Sequence, residues 1–304
     1  MIETIRKAWK VPELRKKLLF VAFILIIFRL GNNIPVPFID TTALQGYFNA
    51  ASSSILGLMN VMSGGSFGQA TMLALSIQPY INASIIIQLL TVAIPALERM
   101  QRDGGEAGKR KLESITRYST LALGLLQGFG YYMLIRTNGF LSNTSVWAAV
   151  VIVATFTAGS VFVMWMGEQI TEHGVGNGIS ILLFAGIISR LPSAVFYMYT
   201  GAKNWANDVS GDNAIVLHPA LIPVFLIGMC LILVFIVFIS LSERKIPVQY
   251  AKRVVGRKMY GGQSTTIPIK VNMSGVMPII FAQTIASIPA TIAAFVPSLA
   301  DSTF

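Results

Sequence analysis

The run LIPVFLIGMCLILVFIVFISL, Leu221 to Leu241, holds twenty-one residues and no charge. At 1.5 Å per residue a helix of that length covers roughly the 30 Å hydrocarbon core of a bilayer. Six more stretches of the same character lie along the chain. They are Leu18 to Ile34, Met72 to Ile94, Tyr118 to Ile135, Val146 to Met166, Ile179 to Tyr199 and Val276 to Leu299. The 304 residues are 12% charged and 54% hydrophobic, with a mean hydropathy of +0.67. Soluble domains carry about 25% charged residues. A soluble enzyme, a secreted disulfide scaffold and a disordered tail are therefore poor fits, and the single cysteine, Cys230, cannot form an internal bridge. The fold class read from these runs is an all-α polytopic membrane protein.

Orientation follows from Lys and Arg. With the N-terminus in the cytoplasm, the inside segments 1–17, 95–117, 167–177 and 242–275 hold 19 of the 23 basic residues. The four others are Arg29, Arg136, Arg190 and Lys203. The net charge of +10 is thus explained by membrane topology without invoking nucleic acid.

One apolar segment, SSSILGLMNVMSGGSFG at Ser52 to Gly68, is too short to span. Ile55, Leu58, Met59 and Met62 have helical spacing and share one face, Ser52 to Ser54 can cap the helix, and Gly64-Gly65 can end it. A re-entrant helix and an amphipathic helix on the outer leaflet fit this pattern equally well. The second span opens SIQPYINAS, Ser76 to Ser84, and the seventh GVMPIIFAQ, Gly275 to Gln283. Pro79, Ile81 and Ala83 match Pro278, Ile280 and Ala282, a hint of an internal repeat.

The inventory for catalysis is thin. His173 and His218 fall in loops on opposite sides, and no paired intramembrane carboxylates are present. Glu168, Glu172 and His173 lie close in sequence but read as a solvated face rather than a metal site. Gly104 to Lys111, GGEAGKRK, lacks the spacing of a phosphate loop, and Gly174 to Ser180, GVGNGIS, reads as a tight turn that lets backbones approach. A coupled transporter needs ionisable groups in mid-membrane. The spans here carry amides and hydroxyls instead: Gln78, Asn82, Gln88, Gln127, Gln283 and Thr284. Segment 242–275 is a long basic loop with Arg244, Lys245, Lys252, Arg253, Arg257, Lys258 and Lys270. Attraction to anionic lipid and docking of an acidic partner or ribosomal RNA both account for it. A scaffold with a basic docking surface stays open as an alternative to a channel.

Four blocks in order, PYINASIIIQLLT (Pro79 to Thr91), GGEAGKRKLESITRY (Gly104 to Tyr118), TEHGVGNGISILLFAGI (Thr171 to Ile187) and QSTTIPIKVNMSGVMPIIFA (Gln263 to Ala282), resemble the bacterial SecY family, the pore subunits of the Sec protein translocase. The resemblance implies ten spans in two pseudo-symmetric halves that open like a clamshell. This chain would supply a cytoplasmic N-terminus (1–17), the first half (18–199), an outside loop (200–218) and the start of the second half (219–304). It also implies roles. The helix within 52–68, with Ile55, Leu58, Met59, Met62, Gly64 and Gly65, would be the plug. Ile77, Ile81, Leu183, Ile187 and Ile280 would form the apolar pore ring. Gln88, Gln127 and Thr284 would lie on the lateral gate. Arg244, Lys245, Arg253, Arg257 and Lys258 would dock the ribosome, through its RNA and the proteins near its exit tunnel, or the SecA ATPase. SecE, SecG, signal sequences, nascent secretory and membrane proteins and lipids are the further implied partners, and the plasma (inner) membrane the implied location. No cofactor, metal or catalytic residue is expected, since ATP chemistry would belong to SecA.

Overall fold

The computed structural model describes residues 11–50, 55–207, 218–248, 253–255, 258–260, 265–272 and 282. The described residues fall in two compact units, one within Met1–Pro192 and one within Ser193–Gln283. Ten helices are described: α1 Pro12–Gly31, α2 Thr41–Ala50, α3 Ile55–Met62, α4 Gln78–Ala93, α5 Pro95–Arg102, α6 Gly105–Thr137, α7 Val146–His173, α8 Gly178–Ile188, α9 Leu191–Ala206 and α10 Leu221–Leu241. Four strands follow: β1 Glu243–Val248, β2 Arg253–Val255, β3 Lys258–Tyr260 and β4 Thr265–Lys270.

Proline and glycine set most of these boundaries. Pro79 occupies the first turn of α4, where its missing N–H costs nothing. Helix therefore begins at Gln78 rather than at the expected Met72, and residues 72–77 are a chain of turns. Pro95 ends α4 and starts α5, which is bent 101° away. The expected loop 95–117 is helical for most of its length: α5 leads at once into the 33-residue α6. The two meet closely, for a methyl on Gly108 would lie 2.0 Å from the Met100 carbonyl oxygen. The fifth span is interrupted at Ser189-Arg190, just before Pro192.

Among the described residues, Val146–His173, Gly178–Trp205 and Leu221–Leu241 are long and apolar enough to cross a membrane, and a fourth span results if α4 and α5 count as one bent pair. The first and third of the seven expected stretches are also helical, as α1 and the later part of α6. Arg15, Lys16, Lys17 and Arg29 dilute α1, and glycines, tyrosines and Gln127 dilute α6. The seventh stretch, Val276 to Leu299, lies outside the described residues except for Ala282.

In the first unit α4, α6, α7 and α8 pack in succession, with α1 against α7. Small residues allow it. Methyl groups on Gly124 and Gly128 would sit 3.0 Å from Ser160 Oγ and 3.4 Å from Thr157 Oγ1, so α6 and α7 approach through a seam of glycines and hydroxyls. At the end formed by residues 131–156 the core is aromatic. Phe48 meets Phe67 (ring centroids 5.2 Å), Phe67 stacks on Tyr131 (4.2 Å), and Tyr131 meets Phe156 (5.0 Å). α2 closes this core with Leu44 and Phe48. It was not expected from the sequence. Asp40 starts it: Oδ1 accepts from Thr42 Oγ1 (2.6 Å), Thr42 N–H (3.0 Å) and Ala43 N–H (3.2 Å), an N-cap. Hydrogen bonds from the Thr42 hydroxyl and then the two backbone amides hold the Asp40 carboxyl below its ordinary pKa.

In the second unit α10 has no buried residue along its length. Ring centroids of Trp205 and His218 lie 4.5 Å apart, edge to face. The basic segment is not an irregular loop. β1 and β4 pair antiparallel from Glu243↔Lys270 to Val248↔Thr265, and β2 pairs with β3 through Val255↔Lys258. Val271 N–H donates to Ser242 O (3.0 Å) at the base of the ribbon. That bond makes 242↔271, and every second pair from it, the hydrogen-bonded class. Pro247 (facing Thr266) and Pro268 (facing Lys245) both fall in the other class, where no N–H is required.

Candidate functional site

The short helix α3 ends in a Schellman motif. Gly65 N–H donates to Asn60 O (2.8 Å) and Gly64 N–H to Val61 O (3.0 Å). Both glycines have positive φ, +71° and +94°, which is why the sequence needs Gly at this turn. Asn60 and Ser63 then fold the chain back on itself. Gly68 N–H donates to Asn60 Oδ1 (2.8 Å), Ser63 Oγ donates to Asn60 O (3.1 Å), and Phe67 N–H donates to Ser63 Oγ (3.1 Å). Tyr131 Oη reaches down from α6 to donate to Phe67 O.

This turn sits on α8. A methyl on Gly64 would lie 2.6 Å from Gly186 O and 2.7 Å from Ser189 Oγ. Of the side chains expected on the buried face of α3, Met59 is half-buried and packs on the aromatic core. Those of Ile55, Leu58 and Met62 lie outside the described residues, although their backbone is helical. Among the described residues α3 is folded into the first unit, where Gly57 and Asn60 are buried.

The residues expected to form an apolar ring are arranged unequally. Ile77 caps α4 just before its first residue (φ −93°, ψ 2°), and its carbonyl accepts the helical hydrogen bond from Ile81 N–H (3.1 Å). Its side chain is fully enclosed, 3.4 Å from the point where a methyl on Gly167 would stand, with Ile179 and Leu182 beside it. Ile81 is also buried, Leu183 half-buried, and Ile187, next to the seat of Gly64, is 51% exposed. Spans two and five are therefore brought together through Ile77, while Ile187 is the open position. Ile280 lies outside the described residues.

The polar seam residues are separated. Gln88 is exposed on α4. Gln127 is half-buried on α6, and its Oε1 is shielded from solvent with no hydrogen-bond partner among the described residues. Thr284 lies outside the described residues. Gln88 lines a cleft of about 980 Å³ together with Tyr80, Ser84, Arg110, Arg117 and Glu168. Gln127 stands ten residues beyond Arg117, about 15 Å up α6. Across the cleft Arg117 Nε donates to Glu168 Oε1 (2.9 Å), a half-exposed pair of small energetic value. Sequence reading considered Glu168 beside Glu172 and His173 but missed its partner, because the two sit 51 residues apart. Among the described residues no three His, Cys, Asp or Glu side chains converge as metal ligands. The GVGNGIS stretch behaves as its spacing predicts. Asn177 Oδ1 caps α8 by accepting from Ser180 N–H (3.2 Å), and Gly178 touches the Gly167 carbonyl so closely that a methyl would lie 2.0 Å away. On the ribbon, Arg244 and Lys245 are exposed on β1, Arg253 and Lys258 lie on β2 and β3, and Arg257 is outside the described residues.

With this geometry in view, relatives are informative. A family profile described as SecY matches residues 71–304. "Protein translocase subunit SecY" of Streptomyces scabiei is 42% identical, over 99% of this chain and 69% of its own length. The protein of that description from Buchnera aphidicola subsp. Acyrthosiphon kondoi is 44% identical over 93% of this chain and 78% of its own. That of Aquifex aeolicus is 39% identical over 97% and 68%. The fold matches the solved "structure of a protein conducting channel" with a TM-score of 0.63 at 16% identity, over 93% of this chain and 58% of that one. It also matches "Sec61 in the Canine ribosome-channel complex from the endoplasmic reticulum", TM-score 0.62 at 15% identity, with the same coverage. A third match, TM-score 0.56 at 16% identity, is described as "The plug domain of the SecY protein stablizes the closed state of the translocation channel and maintains a membrane seal". On sequence identity, coverage and fold together, the chain belongs to the SecY family.

Proposed function

We propose that the chain is the larger part of the channel subunit of a Sec translocase, which passes unfolded polypeptides across a bacterial plasma membrane and releases signal or transmembrane helices sideways into it. The observation that carries this reading is the seat of α3. A helix of eight residues, too short to span, is folded between the first and second apolar spans and rests by its glycine turn on α8 beside Ile187. A scaffold has no use for a stopper in that position.

In this reading α3 is the plug. Ile81, Leu183, Ile187 and Ile280 line the constriction, with Ile77 behind them at the base of α4. An apolar ring resists ions by dewetting, yet widens around a polypeptide because no hydrogen bonds have to break. Gln88, Gln127 and Thr284 mark the lateral gate, where an entering signal helix replaces a polar seam with apolar contact. The N-terminus is cytoplasmic. The basic ribbon, with Arg244, Lys245, Arg253, Arg257 and Lys258, docks the ribosome or the SecA ATPase, and SecE and SecG are the membrane partners.

The test is site-specific photocrosslinking in the full-length protein, in membranes with SecE, SecG and SecA. A photoreactive residue replaces Ile81 or Ile187, and a stalled secretory precursor is presented. Adducts to the mature part of the precursor are expected from both positions. Adducts from the basic ribbon alone would remove the channel reading and leave a docking scaffold.

A further inference from the structure

We propose that Arg190 is the latch that holds the plug on its seat, an inference that rests on α3 being the plug. Four observations converge on it. First, Arg190 stands in the interruption between α8 and α9, the break that Pro192 imposes on the fifth span. Second, its guanidinium covers the plug's glycine turn: a methyl on Gly65 would lie 3.1 Å from Nη2, 3.3 Å from Nε and 3.6 Å from Cζ. Third, that turn is the C-terminal end of α3, where the helix dipole presents partial negative charge and a cation is favoured. Fourth, Arg190 is half-buried and, among the described residues, has no carboxylate partner. With no acid beside it among the described residues, the cation has the carbonyl end of α3 as its electrostatic partner. It can hold that terminus in return, and it lets go without separating an ion pair.

The seat has a division of labour. Gly64 fits because Gly186 and Ser189 leave no room for a side chain. Gly65, which its φ of +94° already requires to be glycine, leaves its bare Cα for the guanidinium to pack against. The first contact sets where the plug rests, and the second sets how long it stays. Leaving the seat exposes Arg190 to whatever enters the channel next, so the latch is renewed only when the plug returns.

The experiment measures resting ion conductance of the full-length channel with its membrane partners in planar bilayers, without precursor or motor. Arg190→Gln is expected to raise it roughly fivefold, the population shift one helix-terminus cation produces, and Arg190→Lys to stay within about twofold of the parent. Removing residues 55–62 is expected to raise conductance further, and Arg190→Gln is expected to add nothing in that background. An unchanged Arg190→Gln channel beside a leaky plug deletion would overturn the latch and leave the plug intact. The same increment from Arg190→Gln with and without the plug would also overturn it, since the residue would then act on general packing. No leak from the deletion would remove the plug reading and the latch with it. Should Arg190→Gln fail to fold, Arg190→Met keeps the length of the side chain and removes its charge. It is expected to leak, and a tight Arg190→Met channel would overturn the proposal.

Discussion

Gly159 lies in the middle of α7, where a helix ordinarily prefers alanine by about 1 kcal/mol. A methyl group there would stand 2.0 Å from the Met72 carbonyl oxygen and 3.3 Å from Leu73 Cδ2. The obstacle is backbone, which cannot swing aside as a side-chain tip can. Gly159→Ala should therefore destabilise the protein by about 1–3 kcal/mol, the usual cost of overpacking. Gly46 in α2 is the internal control, because among the described residues nothing lies within 4 Å of its missing side chain. Gly46→Ala should stabilise by about 0.5–1 kcal/mol through propensity alone. Thermal unfolding of the two variants in one detergent separates these effects, and equal shifts would mean that α7 and the turn at Met72 do not touch. Neither glycine announces its role in the sequence. Both sit among helix-forming neighbours, and the difference is made by a segment 87 positions earlier in one case and by open space in the other.

Elements were legible where one period dominates. α7 and α10 lie where their apolar runs place them, and α3 was readable from Ile55, Leu58, Met59 and Met62 together with the Gly64-Gly65 stop. α2 went unread although Leu44, Tyr47 and Phe48 carry the i, i+3, i+4 signal, because ten residues with four polar side chains do not stand out beside long apolar runs. The α5–α6 segment reads as a loop in sequence because charge, useful for topology, says little about helicity. The basic ribbon was hidden for a different reason: its order comes from pairing between Glu243–Val248 and Thr265–Lys270, partners that no local window contains. That ribbon makes the docking role testable without touching the bundle. Reversing Arg257 and Lys258 to Glu changes charge in the segment between β1 and β4 and replaces no residue of the β1–β4 pairing. Binding of the cytosolic partner should fall roughly tenfold at low salt, and the difference from the parent should shrink as salt rises. Unchanged binding across the titration would remove the ribbon from the docking surface.

The channel reading requires a resting state that is stable enough to seal and close enough in energy to open. Gln127 bears on that balance. Its Oε1 is buried on α6 with no donor among the described residues, and an unsatisfied buried acceptor costs about 1–3 kcal/mol. The helices around it are otherwise well matched, with glycine-to-hydroxyl contacts between α6 and α7 and close backbone approach at Gly159 and Gly178. Any conformation that wets or pairs this oxygen recovers that cost. A ligand moves such an equilibrium only by its differential affinity for the two states, so a gap made smaller at Gln127 is a gap that a weaker signal helix can close. Gln127→Leu keeps the volume and removes the orphaned acceptor. The variant should be more stable to heat in detergent, and its opening equilibrium should move towards closed by roughly fivefold, the low end of that energetic range. Translocation into proteoliposomes should then fall for a precursor with a weakened signal sequence while a strong signal still opens the channel. An equal loss with both precursors would point to a defect in the conducting path. A gain with the weak signal would mean that the glutamine stabilises the closed seam rather than straining it, and the assignment of Gln127 to the gate would have to be reversed in sign.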